Sequence, residues 1–133
     1  MEYSGLVVGR DRETTERLLT VAVAVFVAVF VFHTPPSVLG VDLAVRPNLA
    51  VLFGLATVLP VAGAYLNDGA LVSVALAAGP ALGFYVPLTL FELVSPSESV
   101  LWGVASAATF AVPLGLVGFA VGAGARRLVA LAL

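Results

Sequence analysis

Residues 67–94 read NDGALVSVALAAGPALGFYVPLTLFELV, and the fold turns on how this stretch is understood. From Ala70 onward it carries no ionisable side chain except Tyr85 until Glu92, close to its end. A helix of that length, rising 1.5 Å per residue, crosses roughly 30 Å of hydrocarbon. It opens directly after Asn67-Asp68-Gly69, a tight-turn signal because these residue types tolerate positive φ. The pattern predicts a transmembrane helix over 70–94, joined by that turn to a second one before it.

Working outward, the charges mark further apolar runs. Residues 48–66 form the preceding span, opening after Pro47. Residues 18–33 form the first, ended by His33-Thr34-Pro35-Pro36, since proline removes a donor and restrains its predecessor. Val21 to Phe32 has valine at every second position, but the alternation is Val against Ala or Phe. Both faces of such a strand would be apolar, so helix is preferred. This run is the shortest of the four and is read as a retained anchor, because no small-x-small cleavage site follows it. The fourth span is expected over 96–122. It begins at Ser95-Pro96-Ser97-Glu98, with a serine cap, proline at the first helical position and a glutamate closing a capping box. It is expected to end in Gly122-Ala123-Gly124.

Composition agrees. Of 133 residues, 61% are hydrophobic and 11% charged, against about 45–50% and about 25% in soluble domains. The expected fold class is therefore an all-α integral membrane protein, a four-transmembrane-helix bundle with a Pro-kinked third span. Residues 1–17 are a short polar lead, 18–124 a single transmembrane domain, and 125–133 a short tail. Asp11 is a candidate N-cap for the lead, and Arg12–Glu16 and Glu13–Arg17 have i,i+4 spacing.

Orientation follows from arginine, which supplies all six basic residues. Arg10, Arg12, Arg17, Arg126 and Arg127 fall on the side of the termini and the second loop. Only Arg46 falls on the other. The positive-inside rule places both termini in the cytoplasm of a cell-membrane protein. The outward side holds His33, Asp42, Glu92 and Glu98.

Candidate functional residues are sparse. Pro60, Pro80, Pro87 and Pro113 each free the carbonyl four residues earlier, on Ala56, Leu76, Gly83 and Thr109. Such carbonyls line ion and substrate sites in transporters with broken helices, although neighbours commonly re-satisfy them. Tyr85, between two of these prolines, needs a hydrogen-bond partner in lipid, with Ser106, Thr109 or a freed carbonyl in reach. A possible pathway thus comprises Pro60, Pro80, Tyr85, Pro87, Thr109 and Pro113. Small residues recur at four-residue spacing: Ala75, Gly79 and Gly83, then Ala107, Ala111 and Gly115, with Gly118 and Gly122 as a second pair. These stripes let helix backbones approach closely, and the third span is expected to pack on the fourth. Trp102 and Tyr65 suit the two interfaces.

The absences weigh more. No charged residue is expected near mid-membrane, where proton relays leave one. Cysteine is absent, and a single histidine makes neither a metal site nor a general base without partners. No cofactor or metal is expected, and no basic patch interleaves with aromatics for nucleic acid. The expected partners are the lipid bilayer and either a second copy or a larger membrane complex. The expectation is a non-enzymatic structural or accessory subunit acting by helix packing. The alternative is an oligomeric passive channel or small-solute or ion transporter, with its pathway at the Pro-broken helices.

Overall fold

The computed structural model describes residues 7–40, 48–91 and 99–132. Four long helices follow one another: α1 (Arg12–His33), α2 (Leu49–Asn67), α3 (Ala70–Leu90) and α4 (Val100–Ala132). One helical turn, Pro36–Leu39, follows α1. The described residues contain no strand. All four helices are long and apolar enough to cross a membrane.

The ends of the helices follow local chemistry. Asp11 caps α1, its carboxylate accepting from the Thr14 amide at 3.2 Å and the Thr14 hydroxyl at 2.6 Å. Arg12 pairs with Glu16 at 3.2 Å and Arg17 with Glu13 at 2.6 Å. The polar lead is thus continuous with the first span. α1 reaches 22 residues, and α2, with 19, is the shorter helix. Asn48 caps α2 through the Val51 amide at 2.9 Å. The α2–α3 turn has Asp68 at φ 56° and Gly69 at φ 84°, the positive-φ positions that the Asn-Asp-Gly triplet suits. α3 runs through Pro80 and Pro87 as one helix and closes with the Phe91 amide on Pro87 O at 3.0 Å. It ends short of the expected 94.

α4 differs most from expectation. It starts at Val100 rather than 96, capped by Ser99, whose hydroxyl accepts from the Trp102 amide at 3.1 Å. The Ser95–Glu98 capping box lies outside the described residues. At its far end α4 continues through Gly122, Ala123 and Gly124 to Ala132, where 122 was expected. A helical glycine costs only about 1 kcal/mol relative to alanine. Here contacts outweigh it: Arg126 donates to Tyr65 O at 3.1 Å and Leu66 O at 2.7 Å, and Arg127 reaches Asp68 at 3.5 Å.

α3 is the hub. It packs on α1, α2 and α4; α2 and α4 also pack on each other, whereas α1 barely touches α2. The interior is built from small residues, with Ala64, Ala77, Ala107 and Ala111 all buried. The large apolar side chains face outward, among them Val23, Val58, Leu101 and Val117. That inversion suits a solvent as apolar as the side chains themselves, where close backbone packing replaces the hydrophobic drive.

The small-residue stripes set this arrangement; the third span packs on the fourth as expected, but its own glycines face another helix. A Cβ on Gly79 would meet Ala22 O at 2.8 Å, and one on Gly83 the Val29 Cβ at 2.7 Å, so the third-span stripe faces α1 rather than α4. The sequence spacing marks a face, but not which neighbour covers it. α4 divides its own stripe between two partners. Gly103 and Gly115 abut Thr89 and Val74 of α3, whereas Gly118 and Gly122 abut Pro60 and Val61 of α2.

Candidate functional site

The six pathway residues do not converge. Pro60, Pro80 and Pro87 are buried in helix packing, while Thr109 and Pro113 face outward on α4. Thr109 donates to Ala105 O of its own helix at 2.8 Å. Pro60 packs on Gly118, and its carbonyl accepts from Ser73 of α3 at 3.4 Å. Pro87 is fully buried in α3, and its carbonyl accepts the capping Phe91 amide. Only Pro80 and Tyr85 meet, in the half of the bundle away from the α2–α3 turn.

There they line a cleft of about 240 Å³ between α2, α3 and α4. Leu52 and Ala56 come from α2, Pro80, Ala81, Phe84 and Tyr85 from α3, and Phe110 and Leu114 from α4. Tyr85 organises the wall. Its ring stacks on Phe110 at 5.9 Å and 14°, and meets Trp102 and Phe84 edge-on at 6.3 and 5.1 Å. Such offset and edge geometries follow the ring quadrupole. His33 of α1 joins the cluster edge-on to Phe84 at 5.3 Å. Its Nδ1 lies 2.8 Å from Val29 O, so Nδ1 carries the proton, because a carbonyl can only accept. The Tyr85 hydroxyl makes no hydrogen bond among the described residues. Thr89 instead donates to the Tyr85 and Val86 carbonyls, at 3.4 and 3.1 Å.

The opposite end holds a polar clamp. Asp68, with its side chain 5% exposed, pairs with Arg10 Nε at 3.1 Å and Arg127 at 3.5 Å. One carboxylate thus joins the segment before α1 to the last turns of α4. Asn67, fully buried, reads the backbone of the same segment. Its Oδ1 accepts from the Asp11 amide at 2.7 Å, while its Nδ2 donates to Asp11 O at 3.2 Å and to Thr15 Oγ1 at 2.8 Å. The Arg10 amide donates to Asn67 O at 2.9 Å, and Thr15 Oγ1 to Val8 O at 2.9 Å. The segment comes this close because Gly9 has no side chain. A Cβ there would strike Thr15 Oγ1 and Asn67 Nδ2, and its φ is 114°. Beside the clamp, the Thr14 hydroxyl and amide hold the exposed Asp11 carboxyl below its ordinary range.

Locally, Asn67 and Asp68 read only as a turn, and the clamp does not follow from that turn alone. A usable signal was present: one acidic residue at a hairpin tip, on the side holding five of the six arginines. Among the described residues no group of three or more His, Cys, Asp or Glu could hold a metal ion. Asp42, Glu92 and Glu98 lie outside them. Comparison with protein families, curated proteins and solved structures gave no match for this chain.

Proposed function

We propose that this chain is a multi-pass protein of the cell membrane, with both termini cytoplasmic. In this reading it acts without catalysis, as a structural or accessory subunit working through helix packing. One observation carries the proposal: the threonine hydroxyls of the spans, and that of Ser73, are bonded inside the protein, whereas those of Tyr85 and Ser106 have no partner among the described residues. Thr20, Thr57 and Thr109 each donate to the carbonyl four residues earlier, at 2.8–2.9 Å, Thr89 to its own helix and Ser73 to α2. These bonded hydroxyls contribute no polar path for a solute through a single copy, and Tyr85 and Ser106 alone do not make a continuous one. The contacts at Asp68 support the shared sidedness of the termini. They gather Arg10 and Arg127 at the end that carries most of the positive charge.

The channel reading would require a pathway between copies, since Thr109 and Pro113 face outward on α4. Purification in a gentle detergent with chemical crosslinking tests the preferred role, and the expected result is a larger partner or a stable homo-oligomer. Selective ion or solute flux from the purified protein in liposomes would overturn it. Cytoplasmic-side labelling of a cysteine placed at Ser37 would overturn the topology.

A further inference from the structure

We propose that the cleft between α2, α3 and α4 is a binding site for one acyl chain of a membrane lipid. The inference rests on the membrane-spanning reading given above. Phe53 and Phe110, 55% and 44% exposed, flank the mouth, while Leu52, Ala56 and Pro80 form a buried floor. The lining runs from Leu49, the first residue of α2, to Phe110 in the interior of α4, so the cleft extends from the start of α2 along the faces of three apolar helices.

The lining and the size of the space point to the occupant. Water in a cavity needs about two to four polar partners, and the lining side chains offer one, the Tyr85 hydroxyl. An empty cleft would forfeit the dispersion contacts of its lining. A helix of another copy, roughly 10–12 Å across, would place only single side chains in a space of about 240 Å³, whereas a flexible chain enters it without docking a second protein surface. That volume is also below the roughly 300–1,000 Å³ of sites that enclose whole small molecules. It takes a segment of hydrocarbon and leaves a headgroup outside. The walls suit such a guest, because the stacked Tyr85 and Phe110 rings are held by Trp102 and Phe84. Side chains fixed in this way lose little freedom when a flexible chain lies against them.

The test uses the full chain in phosphatidylcholine vesicles that contain a minor fraction of phosphatidylcholine with a mid-chain diazirine. After irradiation, labelled residues are mapped by mass spectrometry. Phe53, Ala81 and Phe110 should be labelled severalfold above Val23 and Val117, which are exposed outside the cleft. Ala81→Phe should lower labelling at Phe53 and Phe110 to the level of those controls, and the smaller Ala81→Leu should lower it partly. The wild-type pattern decides the matter even if neither variant folds. Equal labelling at all these positions means an ordinary lipid annulus and overturns the proposal. A dark cleft with labelled Val23 and Val117 means that protein fills it, which also overturns the proposal while leaving the membrane reading intact. Val23 and Val117 unlabelled along with the cleft would overturn the membrane reading itself.

Discussion

The two ends of α3 are held by opposite means. At its start, Asn67 and Asp68 are buried yet saturated with partners, drawn from the segment before α1 and the end of α4. Near its finish, Tyr85 sits among aromatic rings, its hydroxyl without a partner among the described residues and a cleft beside it. Charge serves where water is near enough to solvate the arginines, whose side chains are 44% and 55% exposed. Shape serves where hydrocarbon offers nothing to bond. The first end is closed, specific and intolerant of loss; the second is adaptable and left open.

Breaking the clamp should have the largest effect. Asp68 has two counter-charges, so Arg10→Ala or Arg127→Ala alone leaves it partnered and should cost about 1 kcal/mol. Removing both leaves a buried carboxylate without compensation, at about 3 kcal/mol or more. Unfolding in graded detergent mixtures, followed through Trp102 as the sole tryptophan, would show this as a double change exceeding the sum of the singles. Strict additivity would mean that the carboxylate is solvated and the clamp is decorative.

Next come the close approaches that tie both ends together. Gly122→Ala drives a Cβ into Val61 O and Ala64 of α2, and overpacking of this kind costs about 1–3 kcal/mol. Gly54 and Gly124 have nothing within 4 Å. Gly54→Ala and Gly124→Ala should therefore be neutral, or stabilising by about 0.5–1 kcal/mol through helix propensity. The same unfolding measurement sorts the three, and equal effects would remove close approach as the cause.

This contrast explains what the sequence could convey. Span number and the Asn67-Asp68-Gly69 turn were legible because charge gaps and turn residues are local signals. The glycine stripes were legible as faces and the α3–α4 pairing with them, but their other partners were not. Gly79 meets α1 and Gly122 meets α2 because the packing order of four apolar helices is a tertiary choice with no trace in periodicity. The end of α4 was misread for the same reason: glycines at 122 and 124 signal a stop locally, and contacts of Arg126 and Arg127 with the α2–α3 turn override them. The clamp escaped because its members lie more than fifty residues apart. The cleft escaped because an absence of packing leaves no motif.

A smaller loss is expected where the backbone, rather than a side chain, makes the clamp. Gly9→Ala forces an L residue to a φ of 114° and places a methyl against Thr15 and Asn67, at about 1–2 kcal/mol. Because Asn67 grips the Asp11 peptide, the variant should also raise amide hydrogen exchange at Arg10 and Asp11. α3 and α4 should keep their protection. Unchanged exchange at those two amides would mean that the segment is held by Arg10 alone.

The smallest effect belongs to the other end, and it separates shape from bonding there. If the Tyr85 hydroxyl had an interhelical partner, as its position in the sequence invites, Tyr85→Phe would strand that partner at about 1–3 kcal/mol. The structure gives the ring three aromatic neighbours and the hydroxyl none among the described residues. Tyr85→Phe should therefore stay within about 0.5 kcal/mol of the wild type. Tyr85→Ala removes three ring contacts worth about 0.5–1.5 kcal/mol each beyond their buried area, so it should be clearly destabilising and should shift Trp102 emission. A large loss from the phenylalanine variant alone would show that the cleft contains a bonded polar group, and the contrast between the two ends of α3 would no longer hold.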